Sequence, residues 1–184
     1  MELWGGLKQI KLKKFKFDFV QRIALLSDTH NYLDPKLNKY LDECDQIWHA
    51  GDIGTIAITD SLNKIKPVTA VYGNIDGADV RKVHPKEQLF DCEGVKVFMT
   101  HIGGYPKKYK TEILDKIKTH KPDLVVCGHS HILKVIYDHD LNHLHINPGA
   151  AGVHGFHKVK TLVRFSLTEG QIKDLEVIEL GKKV

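Results

Sequence analysis

The chain has 184 residues, 42% of them hydrophobic and 27% charged, with a net charge of +4. That balance describes one globular domain and excludes a disordered or fibrous chain. No apolar stretch nears the ~20 residues that cross a bilayer, and Cys44, Cys92 and Cys127 are too few and too scattered for a disulfide framework or a zinc ribbon.

The net charge sits at the start. Residues 1–22 hold Lys8, Lys11, Lys13, Lys14, Lys16 and Arg22 against only Glu2 and Asp18. Phe15, Phe17 and Phe19 alternate with Lys14, Lys16 and Asp18, which predicts an edge strand with one apolar face in a basic extension over residues 1–21. A basic arm that touches phosphate-rich partners, nucleic acid included, is the less favoured reading. The segment lacks a continuous apolar core and a small-residue cleavage site, so no signal peptide and a cytoplasmic location are expected.

Residues 22–184 read as a single domain. Ile23-Ala24-Leu25-Leu26 runs into Ser27-Asp28-Thr29-His30, and Asp34-Pro35 then predicts the start of a helix carrying Leu37, Tyr40, Leu41 and Cys44. Ile47-Trp48 runs into His49-Ala50-Gly51-Asp52, followed by a helix from Ile56 to Lys64 that Pro67 stops. Val68–Tyr72 runs into Gly73-Asn74-Ile75-Asp76. This first half has the βαβα grammar of a parallel sheet.

From about residue 88 the grammar changes. Gln88–Cys92 and Val95–Met99 flank Glu93-Gly94, a two-residue hairpin signal, and the second run leads into His101. Thr111 is the expected cap of a helix with Ile113, Leu114 and Ile117 that ends before Pro122. Leu124-Val125-Val126-Cys127 runs into Gly128-His129-Ser130-His131. Two further strand pairs follow, Leu133–Tyr137 with His143–Ile146 and Leu162–Leu167 with Ile172–Ile178. The expected fold class is α/β: two sheets of mixed parallel and antiparallel strands, stacked face to face and flanked by helices.

Five apolar runs thus end in Asp, Asn or His, at the sheet edge where open α/β folds place ligands. Asp28, His30, Asp52, Asn74, His101, His129 and His131 offer four imidazoles, two carboxylates and one amide oxygen. One ion rarely needs seven such ligands; two ions roughly 3.5–4 Å apart do, with Asp52 as the natural bridge because a carboxylate has two oxygens. Asp28-x-His30 and His129-x-His131 are spaced so that each pair points one way in an extended segment. A pair converging on one ion and a pair split between two both fit that spacing.

In order and spacing, Asp28-x-His30, Gly51-Asp52, Gly73-Asn74-x-Asp76, His101 and Gly128-His129-Ser130-His131 resemble the calcineurin-like metallophosphoesterase superfamily. Within it the chain is similar to the small bacterial and archaeal phosphodiesterase branch, which also includes the small retromer subunit. The resemblance covers residues 22 to about 150 and implies the metallophosphoesterase fold. It implies Asp28, His30 and His131 on one metal, Asn74, His101 and His129 on the other, and Asp52 between them. It further implies in-line attack on phosphorus by a hydroxide bridging two divalent ions, manganese first and zinc, iron or nickel as alternatives. Asn74 is then also a catalytic and substrate-binding residue, and Asp76 is expected to orient a ligand by hydrogen bond. The branch relationship leaves a non-catalytic protein-interaction scaffold as the alternative function. A homo-oligomer is compatible with either.

Two departures stand out. Many phosphomonoesterases of the superfamily carry His straight after the Asn, as general acid for the leaving oxygen; here that position is Ile75. A general acid is worth about 10²–10⁴-fold, so phosphodiesters or other good leaving groups are the expected substrates. After His101, Ile102-Gly103-Gly104 replaces the usual Gly-His. Other polar residues receive plainer readings. His143-x-His145 is a wet strand face, Asn147-Pro148-Gly149-Ala150 a structural turn near the metals, and Lys107-Lys108-x-Lys110 a solvated helix start. His154 and His157 lie on the surface, and His49 is at most a support for its neighbours.

Overall fold

In the computed structural model, which describes residues 19–183, the apolar runs are strands and the periodic segments between them are helices. In chain order these are β1 (Gln21–Leu26), α1 (Leu37–Leu41), β2 (Gln46–His49), α2 (Ile56–Asn63), β3 (Val68–Ala70), α3 (Ala78–Val83), β4 (Glu87–Cys92), β5 (Val95–Thr100), α4 (Thr111–His120), β6 (Leu124–Val126), β7 (Lys134–Asp138), β8 (His143–Asn147), β9 (Val159–Thr168) and β10 (Gln171–Lys182). They form two five-stranded sheets, in the orders β10-β9-β1-β2-β3 and β4-β5-β6-β8-β7.

Both sheets are mixed. β1, β2 and β3 are parallel, while β9 pairs antiparallel with β1 and β10 antiparallel with β9. In the other sheet β5, β6 and β8 are parallel, and β4 and β7 cap its edges antiparallel. Hairpin turns close two antiparallel pairs: Glu93-Gly94 and Glu169-Gly170 all take positive φ, as a two-residue primed turn requires.

Strand alternation sorts the apolar side chains into layers. Ile23 and Leu25 of β1 join Trp48, Val97, Met99, Val126, Ile146 and Phe165 in the core between the sheets. Ala24 and Leu26 turn the other way, into a core with Leu37, Leu41, Leu62 and Val80 under α1, α2 and α3. A third core packs Ile113 and Ile117 of α4 on Phe98 and Val125. The layers are therefore helix, sheet, sheet, helix.

The fold class is as expected, with local differences. The predicted edge strand over residues 1–21 lies outside the described residues except for its end, where β1 starts at Gln21. The first helix starts at Leu37 rather than beside Asp34, because Asp34 closes a separate turn: its carboxylate accepts from Lys36 N and its carbonyl from Leu37 N, both at 2.9 Å. Cys44 is buried beyond that helix. Thr111 is the first helical residue of α4, and Lys110 occupies the cap. Helix α3 has no counterpart in the sequence reading; its six residues are too few for a periodic signal. Among the described residues, no helix is long and apolar enough to cross a membrane, and all three cysteines are unpaired.

Candidate metal centre

The carboxyl ends of β1, β2, β3, β5 and β6 meet at one edge of the sandwich. Asp28 and His30 leave β1, Asp52 leaves β2, Asn74 follows β3, His101 follows β5, and His129 and His131 follow β6. Their ligand atoms fall into two groups. Those of Asp28, His30 and His131 lie within 4.8 Å of one another, and so do those of Asp52, His101 and His129. Asp52 looks both ways: its Oδ1 is 3.2 Å from His101 Nε2 and its Oδ2 is 3.6 Å from His30 Nε2. Asp28 Oδ1 lies 3.2 Å from His131 Nε2 and 4.0 Å from His101 Nε2. Asn74 is exposed and lines a cavity of about 260 Å³ with His101.

Local backbone makes this convergence possible. Asp28, His30, Asp52, His129 and His131 have φ of 55°, 47°, 53°, 69° and 56°. Left-handed backbone is uncommon outside glycine, though Asp and His tolerate it better than most, and each instance costs about 1–3 kcal/mol. Gly51, at φ 93°, lets His101 in: a Cβ there would stand 2.7 Å from the imidazole Cγ and Nδ1.

Surrounding groups fix the ligands. His101 Nδ1 donates to the Ala50 carbonyl at 2.7 Å, which leaves Nε2 as the lone-pair atom facing Asp52. His129 N donates to Asp28 Oδ2 at 3.1 Å, tying the β6 loop to the β1 loop. Asp76 accepts from Ile53 N, Gly54 N and Gly73 N at 3.1, 2.6 and 2.7 Å. It therefore orients the loops that carry Asp52 and Asn74 through their backbone, rather than a ligand side chain. Arg81 of α3 closes the same loop by donating to the Asp76 and Asn74 carbonyls.

His49 is fully buried behind these loops. Its Nδ1 accepts from Gly51 N at 3.2 Å, so Nε2 carries the proton and donates to Thr29 Oγ1 at 2.9 Å; Thr29 in turn donates to Ile53 O. Burial depresses its pKa to about 4 and keeps it neutral. Among the ligands, burial lowers the His30 pKa. Burial also disfavours charged His101, but the Asp52 and Asp28 carboxylates outweigh it and raise the net value. Burial would raise the Asp52 pKa, yet His101, the Ile75 N–H and His30 together hold it low.

Asp28 Oδ1, His30 Nε2, His101 Nε2 and His131 Nδ1 are hidden from solvent and have no hydrogen-bond partner among the described residues. Orphaned buried polar atoms are costly, and so many on one cluster need a further partner. Four imidazoles and two carboxylates are the donor set that first-row divalent metals take. The residues fit two such ions.

Two readings from sequence are corrected, that of the His143–His145 pair and that of His157. His143 and His145 are not a wet strand face: both are buried, and both contact the Tyr109 hydroxyl, at 2.8 and 3.1 Å. His154 is exposed, as expected, and its ring lies 5.6 Å from that of His30; His157 is instead half-buried against His131 at 5.3 Å. Lys110 is exposed at the start of α4, as expected, and also lines the Asn74 cavity. Asn147 belongs to the site's support, since its amide donates to Gly128 O at 2.7 Å and Ser130 Oγ at 3.1 Å.

The family model for the calcineurin-like phosphoesterase superfamily domain matches residues 22–170, which carry every one of these ligands. The chain belongs to the calcineurin-like phosphoesterase superfamily. A probable metallophosphoesterase of Mycoplasma pneumoniae is 29% identical over 84% of this chain and 94% of its own. A predicted phosphoesterase of Streptococcus pneumoniae superposes with a TM-score of 0.65 at 19% identity, covering 90% of this chain and 93% of that one. Vps29 of Chaetomium thermophilum gives a TM-score of 0.66 at 17% identity over 88% and 99%. The last two share the superfamily's two-sheet fold with this chain. Membership makes the protein a metal-dependent phosphoesterase, and the two residue groups are its candidate sites for divalent metal ions.

Proposed function

We propose that this superfamily member hydrolyses phosphodiesters with a pair of divalent ions, manganese first among them, in the cytoplasm. The observation that carries the reading is the position of Asp52, whose two oxygens face His101 on one side and His30 on the other. Bound ions would acidify water and offset charge on the phosphoryl oxygens.

The chain's own residues supply the rest. The Asn74 cavity also holds Arg81, Lys86 and Lys110 against the single carboxylate of Glu112, so it draws in an anion. Asn74 is placed at its wall to contact a phosphoryl oxygen. His101 and Asp52 keep fixed orientations through Ala50 and Ile75, so little reorganisation is needed during reaction. Ile75, half-exposed and next to Asn74 in the chain, has no side-chain proton to give a leaving oxygen. That favours diesters and other groups that leave as stable anions.

The test uses chelator-treated protein and bis(p-nitrophenyl) phosphate. Hydrolysis is expected to return with manganese and to vanish in Asp52→Ala. Turnover that ignores metal, or that survives Asp52→Ala, refutes the reading. Metal binding without turnover on any diester favours the protein-interaction scaffold instead.

A further inference from the structure

A second cavity, of about 150 Å³, shares Ile102 with the Asn74 cavity and reaches His129. Sites for whole small molecules run about 300–1,000 Å³, so this one has room for a single part of a substrate. Tyr105 forms one wall, and Lys134 Nζ sits 3.6 Å from the centre of its ring. Ser130 stands beside His129; its Oγ accepts from Asn147 Nδ2 and Ile132 N, which leaves the hydroxyl proton to donate.

His145 also lines this cavity, although it is only 1% exposed. Its Nδ1 is engaged by the Tyr109 hydroxyl, which also meets His143 Nε2. A phenol has one proton, so Tyr109 donates to one imidazole and accepts from the other. Among the described residues, His145 Nε2 has no hydrogen-bond partner. Burial pushes the His145 pKa down to about 3, so the ring stays neutral at working pH and its charge plays no part.

We propose that this cavity is the subsite for one organic group of the phosphoester, and that the unpartnered His145 Nε2 selects a group bearing a hydroxyl. The proposal rests on the phosphoesterase reading. A hydroxyl both donates and accepts, so it satisfies Nε2 whichever way the Tyr109 proton points; an ammonium or a carbonyl satisfies only one arrangement. The Tyr105 face and Ile132 suit a compact ring beside that hydroxyl. A sugar-like group fits, and a bare aryl group leaves Nε2 unpaired.

The test pairs two chromogenic diesters on the manganese-loaded chain: thymidine 5′-(p-nitrophenyl) phosphate, which carries a sugar hydroxyl, and bis(p-nitrophenyl) phosphate, which carries none. His145→Leu is expected to shift the ratio of their KM values about five- to tenfold against the thymidine probe, the worth of one hydrogen bond, and His145→Gln to restore most of it. An unchanged ratio overturns the proposal. A binding readout needs no turnover. In the zinc-loaded chain, long-range ¹⁵N NMR is expected to show thymidine 5′-monophosphate moving the His145 Nε2 resonance and phenyl phosphate leaving it in place. That shift without hydrolysis of either diester supports the subsite and defeats the catalytic reading. Hydrolysis of both with no such shift defeats the subsite alone.

Discussion

Gly73 presses its bare Cα against Asp52: a methyl group there would stand 2.1 Å from the carboxylate Oδ1 and 2.3 Å from the backbone nitrogen. Gly73 does not have positive φ, so alanine can adopt its backbone and the conflict is purely steric. Gly73→Ala is expected to push Asp52 off both ligand groups. Metal affinity should fall about 10–100-fold, as for other losses of ligand support, with the circular dichroism of the fold retained. Calorimetric manganese titration checks this; unchanged affinity would show that Asp52 needs no fixed position.

Asp76 gathers three backbone donors from two loops, at Ile53, Gly54 and Gly73. Asp76→Ala leaves those N–H groups without an acceptor, at about 1–3 kcal/mol for each one that water cannot reach. The expected loss is about 3 kcal/mol in urea unfolding of the metal-free chain, accompanied by weaker metal binding. A loss below about 1 kcal/mol would mean that the loops hold themselves.

Ile75 follows Asn74 in the chain, and its N–H donates to Asp52 Oδ1 at 3.1 Å. Ile75→His is expected to raise kcat/KM on an aliphatic phosphomonoester by about 10²-fold, the lower end of general-acid catalysis. Activity on bis(p-nitrophenyl) phosphate, whose leaving group needs no proton, should change far less. No gain in a metal-replete variant would sink the account of diester preference.

His49 and His145 are held neutral by burial, with pKa values of about 4 and about 3 against 6.5 for a free imidazole. The unfolded chain takes up these protons first. Stability is therefore complete above pH 6.5 and is lost as pH falls from there towards the folded values. At pH 5 each residue removes about 2 kcal/mol. Urea unfolding of the metal-free chain at pH 7.5 and 5.0 should register the loss, and His145→Gln should reduce it. An equal pH slope in that variant would exclude His145 as a source.

Sequence made the ligand edge legible because each strand is a short apolar run with an abrupt polar end. Asp28, Asp52, His101 and His129 could be placed from those ends alone. What stayed hidden depends on distance along the chain. His143 and His145 looked solvated because their partner, Tyr109, comes from a loop 34 and 36 residues earlier. His154 and His157 gave no sign of resting on His30 and His131, since a loop's path carries no periodicity. The left-handed backbone at five ligands is equally silent, because Asp and His adopt many other conformations.

Each ligand group draws from both sheets. Asp28 and His30 follow a strand of one sheet and meet His131 from the other; Asp52 likewise meets His101 and His129. Ions seated there would act as rivets through the open end of the sandwich, where the interior core gives way to loops. Resistance to unfolding then grows with the logarithm of free metal above its dissociation constant. A cell starved of the ion would hold a chain less resistant to unfolding, as well as one that has lost its chemistry.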